Sequence, residues 1–443
     1  MIINMLSKLN KINNFNKYYS TYSNIVSLRK KYISPSVDTF QAFNKPLILK
    51  KGYMQYVWDY EDNKYIDLVS QNICISVGHS HPKIISKTYE QMSKLPHCST
   101  MYYHEKPSLL SKKIIELLPR HPSGDDWVIH FVNNGSEAVD LATQMARVYT
   151  NRPEIIALHK AYHGLQGYAA GLTSIGVATQ KCNSSIYNSI THLEPNNLYQ
   201  LEQHLKYSSS GKIGGIILEP LQGYGGIYPL DKDYMKSSFE LIKHYGGVTI
   251  VDEVQTGYGR CGESFWGFEL KNNDVIPDII TIAKGMGNGI GIIGAVISRR
   301  SIAEAFSEKM FFNTYGSNPT ACAAAIEVIN VIKNENILQN CFNQGKLFYK
   351  KLNELCYKYP YIYKEVRGSG LFLGLEIYGD TNEKSKHNAK KLHELTLKYG
   401  ILIGCGSAQG NLFRIQPPMC INETDVNNVI DALENLANEW VNV

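Results

Sequence analysis

Two short runs of β-branched residues constrain this chain more than any other feature. Residues 248–251 (Val-Thr-Ile-Val) lead into Asp252, and residues 279–283 (Ile-Ile-Thr-Ile-Ala) lead into Lys284. Neither run alternates apolar with polar, as a half-buried strand would. Such runs read as parallel strands covered on both faces. Their ionisable residues then fall at the carboxyl ends, on the sheet edge where open α/β folds bind ligands. The expected fold class is α/β, with a mostly parallel central sheet.

Two competing readings carry less. A carboxylate after a strand also holds the magnesium of nucleotide hydrolases, but that site needs a G-x-x-x-x-G-K-[ST] loop, which the chain lacks. Gly289-Ile290-Gly291-Ile292-Ile293-Gly294 satisfies the dinucleotide pattern G-x-G-x-x-G, yet without a clear strand–turn–helix context. Taken singly, Asp252 and Lys284 are ordinary strand-end residues. Together they suit pyridoxal phosphate (PLP). An amine condenses with the cofactor's aldehyde, and a carboxylate keeps the pyridine nitrogen protonated so that the ring accepts electrons.

Around these residues the chain resembles the class III, or ω-type, PLP-dependent aminotransferases, from about Leu47 to the C-terminus. The landmarks are Gly78-His79-Ser80-His81-Pro82, Asn134-Gly135-Ser136-Glu137-Ala138, Ala161-Tyr162-His163-Gly164 and Glu219-Pro220-Leu221-Gln222-Gly223. Asp252-Glu253-Val254-Gln255-Thr256-Gly257, Lys284-Gly285, Asn313-Thr314-Tyr315-Gly316-Ser317-Asn318-Pro319 and Phe413-Arg414-Ile415-Gln416-Pro417-Pro418 follow in the family's order. Within the family the wording is closest to the alanine–glyoxylate branch, in Ser76-Val77-Gly78-His79, the run from Gly171 to Gly176, Phe265-Trp266-Gly267-Phe268 and residues 413–420.

The resemblance implies roles. Lys284 holds the cofactor and moves the proton, and Asp252 faces the ring nitrogen. Gly135 and Ser136, between a strand and a helix, bind the phosphate at a helix start. Ser136 also reads as the helix N-cap. Tyr162 stacks on the ring and Val254 packs its other face. Gln255 reaches the phenolic oxygen, and His163 is either a cofactor contact or a structural histidine. Thr314 reaches the phosphate of the other subunit, so the active site belongs to a homo-oligomer. Arg414 receives the substrate α-carboxylate in a two-pronged pair. Glu219 either neutralises a nearby arginine or is structural. Ser70-Gln71 stands where relatives commonly carry Gly-Gly, a change that narrows or retunes the pocket entrance. The implied substrates are small amino acids and oxo acids: L-alanine or a similar small amine as donor, glyoxylate or pyruvate as acceptor. A 4-aminobutyrate, ornithine or acetylornithine transaminase, or a PLP lyase or aminomutase, shares the cofactor residues.

Composition bounds the rest. The formal charge of +5 is misleading, because residues 1–37 hold six basic residues (Lys8, Lys11, Lys17, Arg29, Lys30, Lys31) and no acid. The remainder is close to neutral, so no nucleic-acid partner is implied. Leu6, Leu9, Ile12 and Phe15 between lysines and hydroxyl residues suggest an amphipathic mitochondrial transit peptide. Nine cysteines without C-x-x-C spacing argue against disulfides and structural metal. The longest uncharged glycine/aliphatic stretch, 285–298, is too short to insert in a membrane.

The expected organisation is a transit peptide at 1–35, an N-terminal segment of a small domain at 36–100, a large PLP-binding domain at 101–328 and a C-terminal small domain at 329–443. This is the PLP-dependent transferase fold type I, whose small α+β domain draws on both chain ends. Strands are expected at 127–132, 155–158, 213–218, 248–251, 279–283, 295–297, 370–377 and 401–403, with helices at 136–149, 236–244 and 423–438. Residues 46–67 read as a hairpin, with turn signals at Lys51-Gly52 and Glu61-Asp62-Asn63. A long helical run starts near Cys322.

Overall fold

The computed structural model describes residues 22–175, 189–209, 212–270 and 274–441. Leu6, Leu9, Ile12 and Phe15, and the end of the Gly171–Gly176 motif, lie outside the described residues. The described part begins with helix α1 (Tyr22–Tyr32), which buries no residue. Strands β1 (Leu49–Tyr53), β2 (Tyr56–Asp59) and β3 (Lys64–Asp67) follow as an antiparallel meander. The turn between β2 and β3 falls at the expected Glu61-Asp62-Asn63, where Asp59 Oδ1 accepts the N–H groups of Glu61 and Asn63.

The other expected turn is wrong. Lys51-Gly52 lies inside β1, and the chain reverses at Met54, with φ 50°. Gly52 is there for space: a Cβ on it would stand 2.7 Å from the His79 imidazole. A close ring contact, not a turn, accounts for this glycine.

Seven strands build the central sheet: β4 (Trp127–Val132), β5 (Glu154–Leu158), β6 (Ile190–Leu193), β7 (Ile213–Leu218), then β10 (Val248–Asp252), β11 (Ile279–Ile282) and β12 (Gly294–Arg299). The small hairpin β8 (Leu221–Gln222) and β9 (Tyr228–Pro229) interrupts them after β7. The order is β4-β12-β11-β10-β7-β5-β6. Only β12 runs against its neighbours, so the sheet is mostly parallel. Sheet residues alternate between two separate cores. Val248, Ile250 and Ile279 join Ala138, Val139, Leu141 and Met145 of helix α4 (Gly135–Thr150) on one face. Val251, Ile280 and Ile282 join the larger core of the other face. That two-sided burial is what the unbroken apolar runs encode.

The larger core takes in α2 (Pro82–Lys94), α3 (Glu105–Ile115), α5 (Lys232–His244), α6 (Pro319–Asn334) and α7 (Ile337–Lys358). Helix α5 starts a turn before the expected 236, because Asp231 caps it by accepting from the N–H groups of Asp233 and Tyr234. The long helical run divides at Asn336, whose left-handed φ of 53° ends one helix and starts the next.

Strands β13 (Tyr363–Ser369), β14 (Phe372–Ile377), β16 (Gly404–Cys405) and β17 (Leu412–Ile415) make an antiparallel sheet, with helices α8 (Asn382–Thr396) and α9 (Glu423–Val441) in the same region. Between them β15 (Ile401–Leu402) pairs in parallel with β3, so the two ends of the chain share a sheet. The expected strand at 370 starts at Phe372 because Gly370 turns the chain at φ +54°. Helix α7 presses on that turn. A Cβ on Gly345 would sit 2.5 Å from the Gly370 main chain.

Two predictions follow from this packing. Residues 22–32 bury no side chain, and deleting the chain through Tyr32 is expected to change stability by no more than about 0.5 kcal/mol, read from urea midpoints of the two proteins. Gly345→Ala forces two main chains apart and is expected to cost ~1–3 kcal/mol. An unchanged melting temperature for the alanine variant would show that α7 and the Gly370 turn separate freely.

Candidate active site

The parallel strands end at one edge, and their ends line a cavity of about 780 Å³. Parallel pairing puts Asp252 beside Thr281, and Lys284 follows three residues later. The chain leaves β11 sharply there, with Lys284 itself in the left-handed region at φ 46°. Gly135, Ser136, Tyr162, His163, Glu219, Asp252, Val254, Gln255 and Lys284 all line this one cavity.

Asp252 is buried and held on both oxygens. His163 Nδ1 donates to Oδ2 at 2.8 Å. The Val254 N–H and the Thr281 hydroxyl donate to Oδ1, at 3.0 and 3.3 Å. His163 is thereby placed as the buttress of the carboxylate, while its Nε2 has no partner.

Burial pushes the Lys284 amine below the ordinary lysine value, opposed by Cys74, Asp252 and Glu219 and reinforced by Arg414. Glu219 is held up at about 7, chiefly by burial. Its two oxygens accept the N–H groups of Tyr162 and Gly223, at 2.9 and 3.0 Å. It makes no salt bridge among the described residues, so the reading of Glu219 as neutralising an arginine does not describe this arrangement. The carboxylate clamps the Tyr162 strand end to the Gly223 turn.

At the start of α4 the expected cap shifts by two residues. Asn134, not Ser136, is the N-cap: its Oδ1 accepts from the Glu137 N–H at 2.9 Å, and Glu137 Oε1 accepts from its Nδ2 at 2.8 Å. Asn134 satisfies the cap, which leaves Ser136 Oγ and the first N–H groups of the helix, those of Gly135 and Ser136, on the cavity wall.

Arg414 stands apart. It does not line the cavity, although its charge is felt at Lys284. Its Nη2 donates to Gln416 Oε1 at 2.9 Å, its Cζ lies 6.0 Å from the Tyr224 ring centre, and its buried Nε has no partner. Thr314 is exposed and lines no part of the cavity of its own chain. The dinucleotide-like glycine run leads from a short 3-10 turn into β12, not from a strand into a helix, and Gly289, Gly291, Ile292 and Ile293 form cavity wall.

Several wall and neighbouring residues have no role assigned from the sequence. Cys74 and Thr256 line the cavity, and Tyr224 and Gln416 flank Arg414. Gln416 had a usable signal: two residues beyond Arg414 at the end of a strand, it falls on the same side. Cys74 had none.

The cavity fits the PLP that the motifs imply. A helix start offers unspent N–H groups, a depressed lysine amine shares the cavity with a firmly held carboxylate, and among the described residues Gln255 Oε1 and His163 Nε2 are buried without partners. Gln255 and Tyr162 supply a polar tip and a flat face for an aromatic ring carrying oxygen substituents.

Comparison with known proteins agrees. The chain matches the family described as Aminotransferase class-III over residues 40–436. It is 34% identical to mitochondrial alanine–glyoxylate aminotransferase 2 of Homo sapiens, over 94% of this chain and 86% of that protein. Ethanolamine-phosphate phospho-lyase homolog 1 of Caenorhabditis elegans is 32% identical, over 93% of this chain and 92% of that one. A transaminase structure from the marine bacterium Virgibacillus superposes with a TM-score of 0.84 at 26% identity, covering 94% of this chain and 99% of that chain. Aligned over nearly its whole length and folded as the type I α/β architecture, the chain belongs to the class-III aminotransferases, which are PLP-dependent enzymes.

Proposed function

We propose that the enzyme moves the amino group of L-alanine, or of a similar small amine, to glyoxylate or another small oxo acid by a ping-pong mechanism. The observation that carries this is Arg414, a guanidinium whose charge is felt at Lys284 and whose only side-chain hydrogen-bond partner among the described residues is an amide. A free guanidinium so placed suits the α-carboxylate of an amino acid. The likeness to the human alanine–glyoxylate enzyme supports alanine and glyoxylate as the pair.

What bound PLP supplies is an aldehyde that takes the amino nitrogen and a ring that draws electrons from the adjacent carbon. Lys284 Nζ anchors the cofactor. Once displaced, it takes the proton from the amino-bearing carbon of the substrate and returns one on the way back. Burial lowers its pKa, which favours the neutral, basic form of the amine. Asp252, fixed by His163 and Thr281, holds the proton on the ring nitrogen. Tyr162 and Val254 would pack the two ring faces, Gln255 would reach the ring oxygen, and Gly135 and Ser136 would take the phosphate. Glu219 keeps Tyr162 in place.

Thr314, exposed beside Met310, Phe311, Phe312 and Tyr315, would then complete the phosphate site of a second subunit. The working enzyme is thus at least a homodimer. The likeness to mitochondrial relatives supports a mitochondrial location, with residues 1–35 as the import signal. The remaining units are 36–100 and 329–443 for the small domain and 101–328 for the large one.

Incubation of the purified enzyme with alanine and glyoxylate, following pyruvate and glycine, tests the assignment. Phosphate release from ethanolamine phosphate without nitrogen transfer would favour the lyase reading that the C. elegans relative raises. Lys284→Ala is expected to abolish steady turnover and leave cofactor binding weakened but present. Borohydride reduction of the native enzyme is expected to fix the cofactor to the peptide holding Lys284, and labelling of a different lysine would sink the assignment. Arg414→Ala leaves a substrate carboxylate without its partner, a loss of ~3–5 kcal/mol. The kcat/KM for alanine and for glyoxylate should fall on the order of 10²–10³-fold, with the cofactor absorbance unchanged. Equal losses for an amine lacking a carboxylate would mean that Arg414 is structural.

A further inference from the structure

We infer that Gln416 is the positioning residue of the carboxylate site, a neutral amide that fixes the Arg414 guanidinium without spending its charge. The inference rests on the reading of Arg414 just given. Two partly buried guanidiniums elsewhere in this protein are neutralised, while Arg147, Arg152 and Arg260 meet main-chain carbonyls or a tyrosine hydroxyl. Arg299 pairs with Asp278 and Asp125, and Arg367 with Glu376 and Glu365. Arg414 makes no such pair among the described residues. Its Nη2 donates instead to Gln416 Oε1 at 2.9 Å.

Gln416 is built to hold still. It is fully buried, its N–H donates to the Leu68 carbonyl at 2.8 Å, and its own carbonyl accepts the Ser70 hydroxyl. Both ends of its peptide link are therefore tied to the chain leading to Gln71 on the cavity wall. A glutamate in this place would satisfy the guanidinium and cancel its charge. An amide satisfies one donor and leaves the charge for a ligand. Among the described residues, Arg414 Nε and Gln416 Nε2 stay buried without acceptors. Two spare donors on adjoining groups are the complement of a carboxylate, which brings two acceptor oxygens.

The test compares Gln416→Glu and Gln416→Met with wild type and Arg414→Ala. Donors are alanine and propan-2-amine, which carries a methyl where alanine carries its carboxylate. Gln416→Glu is expected to raise the KM for alanine on the order of 10²-fold, since substrate must displace an internal ion pair. Gln416→Met, which only frees the guanidinium, is expected to cost about tenfold. Neither should move propan-2-amine turnover or cofactor absorbance. Inhibition by acetate should weaken in the same order, Glu more than Met, and reads the site without turnover. Equal effects of Glu and Met, or parallel losses for both amines, would overturn the inference. If Gln416→Glu does not fold, Gln416→Met still decides: it must affect alanine and acetate and spare propan-2-amine. Should Arg414→Ala fail to separate the two amines, the carboxylate reading of Arg414 falls and takes this inference with it. Should it separate them while the Gln416 variants do not, only the role of Gln416 is wrong.

Discussion

The parallel register of β10 against β11 is the constraint on which the site depends. It sets Asp252 level with Thr281, so the distance from the carboxylate to the Lys284 backbone follows from sheet geometry and not from a loop. Apolar cover on both sheet faces makes that register costly to slip, because a one-residue shift would turn Val251 and Ile280 into the opposite core. Every other group in the cavity is placed relative to this pair. Tyr162 and His163 come from the end of β5, Glu219 from β7, and the α4 start from β4, all strands running the same way. Only β12 runs against them, and its contribution is the glycine-rich wall leading into it.

The electrostatics follow from taking these groups out of water. Burial, more than any charge, drives the Lys284 amine down and the Glu219 carboxyl up to about 7. Asp252 is treated differently: His163 Nδ1, the Thr281 hydroxyl and the Val254 N–H all donate to its two oxygens. Two carboxyls in one cavity are thus set to different tasks by their hydrogen bonds. Asp252 stays fit to face a cation, and Glu219 tolerates either state while gripping two main-chain N–H groups.

Much of this was legible in the residues. The unbroken apolar runs foretold the parallel strands, and Asp252 and Lys284 fell where strand ends must deliver them. The short edge strand β6 and the two-residue β15 and β16 left no periodic trace, since so few residues cannot show one. Gly52 misled because a glycine kept for a histidine ring looks the same in sequence as one kept for a turn. Ser136 misled because Asn134 was equally able to cap, and only the reciprocal bonds with Glu137 decide between them. Glu219 was placed in the cavity with two readings open, and its partners here are main-chain N–H groups. Main-chain N–H groups are invisible to a reading that matches charges.

Strain in the backbone shows where the two chain ends meet the chemistry. Ser70, Gln71, Asn72 and Ile73 all have positive φ, between 48° and 67°. None is a glycine, and each such residue costs about 1 kcal/mol or more. Hydrogen bonds hold the turn on both sides. Asp67 Oδ1 accepts the N–H groups of Val69 and Ser70 while its Oδ2 meets His79 Nε2 at 2.7 Å, and the Ser70 hydroxyl reaches Gln416. The turn therefore joins the N-terminal sheet, the Arg414 strand and the cavity wall through Gln71. Relaxing it would free Gln71 and loosen the carbonyl of Gln416 in one step. A left-handed run of side chains persists here because the same few hydrogen bonds that enforce it also fix the wall of the cavity and the partner of Arg414.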